Sequence, residues 1–268
     1  MREYHFLVAS LPELFFDKKG QHIDLLSYYT DLKYYLHPDD YKSIWFLRLE
    51  TDNKNLINIL SKNNKSFIEG GNYTSEELEK EIKTPENLPK YLIEFINSYK
   101  TLGNKRSYAE NEKNLFHLFY SYIERSDVNS FIKKWYNFEL TLRNIITSII
   151  ADSYGRKAEN ELFGNDELKA EIIYCKSKHI DLSHILPNYP RLVQIMNVKD
   201  IIEREKQLDK FRWDYITELS LFNYFTIETI ITYTVKLLII KRWETNEDEK
   251  GTNMLNNMIN ELKNPYVL

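Results

Sequence analysis

Six apolar residues set the character of this chain. Phe131, Trp135, Phe138, Leu142, Ile145 and Ile149 fall at steps of 4, 3, 4, 3 and 4. That spacing holds them on one face of an α-helix, which completes a turn every 3.6 residues. A strand, with its period of two, would scatter them over both faces. The pattern predicts a helix from about Asp127 to Tyr154. Ser126 or Asp127 is its expected N-cap, and Gly155 is expected just past its end in the left-handed conformation. A second helical region is expected from about Asp200 to Trp243. Leu208, Phe211, Tyr215, Leu219 and Phe222 form one stripe of it, and Ile227, Ile230, Ile231, Val235 and Leu238 another. A kink or short break is expected near Asn223 to Thr226.

Shorter helices announce their starts. Thr74-Ser75-Glu76-Glu77 is a capping-box pattern. Thr84-Pro85-Glu86 reads as a cap followed by proline at the first helical position. His37-Pro38-Asp39-Asp40 ends one helix and begins the next. Lys62 to Gly71 reads as a polar loop, Glu244 to Gly251 as a charged turn, and Thr252 to Leu262 as a last helix. Composition agrees with an all-α chain. Glycine and proline number 7 each in 268 residues, roughly 2.6% against averages of about 7% and 5%. An all-β sandwich or barrel needs many more turn residues.

Three stretches begin similar apolar runs: Asn55-Leu56-Ile57, Asn144-Ile145-Ile146 and Thr229-Ile230-Ile231, at spacings of 89 and 85 residues. They read either as a three-unit helical array, about 1–105, 106–199 and 200–268, or as amphipathic helices that resemble one another through periodicity alone.

The sequence offers little sign of catalysis. There are 36 basic and 40 acidic residues, a net charge of −4, which gives no general pull toward nucleic acid or anionic lipid. No phosphate-binding loop, dinucleotide fingerprint or nucleophile elbow is present. The six histidines include no i, i+4 pair that would set two imidazoles on one helix face for a metal. The single Cys175 reads as a small buried apolar residue. Neither a cofactor nor a metal is expected. The most apolar stretch, Ile227 to Ile240, contains Glu228 and Lys236 and is shorter than the roughly 20 residues a bilayer crossing needs. With no secretory signal at its start, the chain is expected to be cytoplasmic.

Two constellations stand out. Glu139 and Arg143 are i, i+4 on the strongest helix, and Asn144 follows. They read as a surface ion pair or as a polar lock where this helix crosses a neighbour. Lys236 to Trp243 ends the second helical region with Lys241-Arg242-Trp243. A basic helix end complements the helix dipole, but the same residues suit a protein-binding surface. Nucleic-acid stacking is opposed by Glu244, Glu247, Asp248 and Glu249.

The opening Tyr4-His5-Phe6-Leu7-Val8-Ala9-Ser10-Leu11-Pro12 resembles a bacterial family encoded among the genes of V/A-type ATPases. That family is itself similar to the C-type, also called d-type, central-stalk component of those rotary ATPases. Phe46 to Leu56 resembles the Asp-x-x-Asn-Leu helix start of the family. Trp135 to Ile146 resembles its later Glu/Arg-Asn-Ile helix. Phe225-Thr226-Ile227-Glu228, Lys236 and Arg242-Trp243 resemble its C-terminal unit. The resemblance implies a non-catalytic helical funnel that sits on the membrane rotor ring, receives the foot of the central stalk and carries torque between them. It would lie peripheral to the inner membrane through that complex. Arg143, Lys236 and Arg242 would then help seat the stalk or shape its socket, or pair within the fold. A stand-alone helical adaptor and a helical enzyme are the rival readings.

Overall fold

The computed structural model describes residues 2–17, 21, 23–62, 66–164 and 166–244. Among them the chain is all-α, with no strand. The helices are α1 His5–Ser10, α2 Leu25–Tyr35, α3 Pro38–Leu60, α4 Ser75–Lys83, α5 Lys90–Leu102, α6 Tyr108–Arg125, α7 Ser130–Ser153, α8 Asp166–Ser177, α9 Tyr189–Met196, α10 Ile201–Leu219 and α11, residues 227–244. The expected turn after Glu244 and the helix Thr252 to Leu262 lie outside the described residues.

The chain divides into two compact units. The larger is His22–Glu205, and the smaller combines Met1–Gln21 with Lys206–Leu268.

In the larger unit, caps account for several helix starts. Thr74 Oγ1 accepts from the Glu77 amide while the Glu77 carboxylate accepts from the Thr74 amide, the reciprocal pair expected for α4. Ser107 and Glu110 repeat it at α6. Pro38 sits in the first turn of α3, where its missing N–H costs nothing. Two expectations need correction. Asn129, not Ser126 or Asp127, caps α7, accepting from the Phe131 amide at 2.7 Å. Ser126 instead closes α6, donating to Tyr122 O. Nor does a helix begin at Thr84-Pro85. The Glu81 carboxylate accepts from the amides of Glu86 and Asn87 and from Asn87 Nδ2. That holds the segment irregular until α5 starts at Lys90.

The core of this unit is aromatic. Tyr91 of α5 and Phe46 of α3 both stack on Tyr122 of α6, with ring centroids 4.9 and 5.7 Å away. Phe119 of α6 meets the Tyr136 ring of α7 edge-on at 5.3 Å. The α7 stripe is buried from Phe131 to Ile145, with Leu142 and Ile145 fully enclosed. Ile149 is only half-buried, so the stripe loses cover in the last turns of its helix. Gly155 does take positive φ, +64°.

In the smaller unit the expected second helical region is two helices, α10 and α11. Leu208, Phe211 and Ile216 of α10 are buried, as are Ile227, Ile230, Ile231, Val235 and Leu237 of α11. The break spans residues 220–226. It pulls Phe222 off the predicted stripe and leaves it 89% exposed.

Replacing Leu142 with Ala should cost about 2–5 kcal/mol, because it truncates a buried isobutyl side chain to a methyl in a packed seam. Urea unfolding checks this. A loss under about 0.5 kcal/mol, typical of a surface position, would place the core elsewhere.

Candidate functional site

In the larger unit, Asn144 of α7 is fully buried. Its Nδ2 donates to Phe163 O at 2.9 Å, and the Phe163 amide donates to its Oδ1 at 2.8 Å. A side-chain amide thus satisfies both peptide groups of one loop residue, which could not be left unpaired in the interior. Gly164 follows at φ +83°, and a Cβ there would come within 2.8 Å of Leu140 Cδ2. Arg143 does not behave as a plain surface ion pair. Its guanidinium lies over the Phe116 ring of α6, 4.0 Å from the centroid. Glu139 is half-buried and faces Glu50 of α3 electrostatically. Burial holds the Glu50 carboxyl above its usual range. Glu139 adds to that effect, while Lys54, Arg143 and a Tyr136 hydrogen bond oppose it. The Tyr136 hydroxyl also donates to Phe46 O at 3.2 Å.

The same device occurs on α3. Asn55 Nδ2 donates to Ile68 O at 2.8 Å, and the Ile68 amide donates to Asn55 Oδ1 at 2.9 Å. Asn55 and Asn144 are the pair read from sequence at a spacing of 89. Glu50 and Glu139, and Lys54 and Arg143, stand at that same spacing. The third stretch differs. Thr229 Oγ1 donates to Asn223 O at 2.6 Å, on the chain before its helix.

Two further residues of α3 are given no role by the sequence: Arg48, and Asp52, which opens the Asp-x-x-Asn-Leu motif. Arg48 Nε donates to Gly70 O at 3.1 Å, its Nη2 to Gly71 O, and its guanidinium covers the Tyr29 ring. Asp52, fully buried, accepts from the amides of Asn72 (2.8 Å) and Tyr73 (3.2 Å) and from Asn72 Nδ2 (2.8 Å). Gly71 makes this approach possible, since a Cβ there would lie 2.3 Å from Asp52 Oδ1. Burial raises the Asp52 carboxyl to about 6, against the pull of the Asn72 and Tyr73 hydrogen bonds and of Arg48. The available signal was an acid and a base one turn apart on a helix, followed by the Gly70-Gly71 pair.

In the smaller unit the basic helix end turns inward. Asp209 of α10 is buried. It accepts from Arg212 Nη1 at 3.2 Å, from Trp243 Nε1 at 2.8 Å and from Arg242 Nη2. Lys236 Nζ sits 4.9 Å from the Trp213 ring centroid. Burial first, then Lys210, lower its pKa, while Asp214 opposes them. Arg242, Trp243 and Lys236 thus join α11 to α10. Opposite them in character is the break between the two helices. Leu221, Phe222, Tyr224 and Phe225 are exposed there, and Phe225 holds φ +58°, a strained value for a bulky residue. The Tyr4 amide donates to Phe225 O, and the His5 ring lies 4.4 Å from that of Phe225.

Among the described residues no cluster of three or more His, Cys, Asp or Glu side chains could hold a metal. His184 bonds Glu171 at 2.9 Å, and Cys175 is a buried free thiol.

Asp52 sets a pH dependence. Its folded pKa lies above the ordinary value, so the folded state binds the proton more tightly than the unfolded chain. Its contribution to stability is therefore greatest below about pH 4 and falls as pH rises to about 6, by on the order of 3 kcal/mol. Unfolding free energies measured from pH 4 to 7 should show Asp52→Asn gaining on the wild type as pH rises. A constant difference would contradict this.

No curated protein and no solved structure matches the chain. A family model described as "Protein of unknown function (DUF2764)" matches residues 1–265, and the chain belongs to that family.

Proposed function

We propose that this chain is a non-catalytic central-stalk subunit of a V/A-type rotary ATPase, coupling the central shaft to the membrane rotor ring. The observation that carries the reading is the repeated clamp. Two of the helical segments that carry the resemblance, 46–56 and 135–146, each place an asparagine at the same register. Each asparagine pins the loop that follows its helix. A part that transmits torque needs stiff helices with loops that do not give, and such clamps supply that stiffness. The segment 225–243 adds the Asp209 lock, which fastens α11 to α10.

In this reading the buried polar groups serve the fold and partners meet the surface. Arg143 and Lys236 lie against aromatic rings, so their first role is internal. Arg242 keeps part of its side chain exposed beside Asp209 and can meet the stalk as well. The exposed aromatic turn at 221–225 is a second contact surface, since clustered large apolar side chains mark sites of association. No helix among the described residues is long and apolar enough to cross a membrane, and attachment through the ring requires none. The same aromatic turn also favours the rival reading of a stand-alone helical adaptor.

Affinity purification at native expression separates the two. Recovery of central-stalk and rotor-ring proteins is expected, and Phe222→Ser with Tyr224→Ser should reduce it at unchanged melting temperature. Isolation of the protein with other partners and no ATPase component would contradict the assignment.

A further inference from the structure

A cavity of about 420 Å³ lies in the larger unit, where the end of α3 meets the turn between α5 and α6. Two cations line it. Lys62 leaves α3 at φ +49°, and Arg106 follows the 3-10 turn Gly103–Lys105. Among the described residues neither lies within ion-pair distance of a carboxylate. Arg106 Nη1 reaches only Ser98 Oγ, at 3.4 Å. Glu110 feels the charge of Arg106, but its Oε2 is committed to the Ser107 amide and hydroxyl at 2.7 and 2.8 Å.

The wall behind these cations is built. Asn111 is 2% exposed, and its Nδ2 donates to the carbonyls of Gly103, Arg106 and Ser107. That ties down the turn that carries Arg106. Gly103 lets the Tyr99 ring lie on the turn, because a Cβ there would come within 2.6 Å of it. Two buried polar atoms of this wall, Asn111 Oδ1 and Ser61 Oγ, have no protein partner. Buried polar atoms in folded proteins nearly always have one.

We propose that this cavity binds a hydroxylated phosphate ester. The phosphoryl group sits between Lys62 and Arg106, where a guanidinium offers its paired donors and an ammonium adds charge. The hydroxyls of the ligand face the wall that carries Ser61, Tyr108 and Asn111. The volume suits a molecule of sugar-phosphate size. A free sugar phosphate and the headgroup of a phosphoinositide share this chemistry. The proposal is independent of the rotary-ATPase reading.

The test is calorimetric titration of the full chain with two probes, glucose 6-phosphate and phosphatidylcholine vesicles with or without phosphatidylinositol 4-phosphate. Saturable binding is expected for at least one phosphorylated probe. The Lys62→Ala/Arg106→Ala double variant should weaken it at least about tenfold. Arg106→Lys, which keeps the charge but not the fork, should weaken it less, with its melting temperature unchanged. Binding of glucose 6-phosphate identifies a free ester as the source. Binding confined to the phosphoinositide vesicles identifies a headgroup. No saturable binding of either probe to about 10 mM, or binding that the double variant retains in full, would overturn the proposal.

Discussion

Loops that run through a protein interior must find partners for their peptide groups, and in the larger unit helix side chains provide them. Asn55 and Asn144 each take both peptide groups of a single residue, Ile68 and Phe163. Asp52 takes two successive amides, and Arg48 two successive carbonyls. Removing one such partner strands a buried donor or acceptor at a cost of about 1–3 kcal/mol. The clamps fasten each loop to the helix that precedes it, and the aromatic core packs between those helices. The smaller unit uses charge for the same purpose. Its buried Asp209 gathers two guanidinium groups and an indole, and removal of one partner would leave that charge less compensated.

Helix existence was written in the periodicity. The α7 stripe, the capping box at α4 and the Pro38 start all follow from local rules, because a cap acts within three or four residues of its helix. What escaped was decided over longer distances. Thr84-Pro85 carries a sound local start signal, yet Glu81 on the preceding helix holds Glu86 and Asn87 in an irregular turn, and the next helix begins only after Pro89. Phe222 has helical spacing from Leu208, but the chain leaves the helix at Leu219 and exposes it. The repeat of Asn55 at Asn144 could be seen at a spacing of 89. That each asparagine pins a loop could not, since Ile68 and Phe163 carry no distinguishing side-chain signal.

The basic residues show how a surface feature in sequence becomes an internal one. Arg143, Lys236, Arg242 and Trp243 suggest a charged or stacking face when read in line. In the folded chain Arg143 and Lys236 cover aromatic rings, and Arg242 and Trp243 converge on one buried carboxylate. The outward chemistry is found elsewhere, in the aromatic turn at 221–225 and in the Lys62–Arg106 cavity. The break near Asn223 to Thr226 was legible, but not that it would expose Phe222, and the cavity depends on residues 44 positions apart.

Amide hydrogen exchange at Ile68 and Phe163 tests most directly the claim that asparagine clamps hold the loops to the helices. Both amides should exchange slowly although neither lies in a helix. Asn55→Ala should speed Ile68 and spare Phe163, and Asn144→Ala the reverse, each by about ten- to hundredfold. Rapid exchange of both amides in the wild type, or rates indifferent to the two substitutions, would contradict the account.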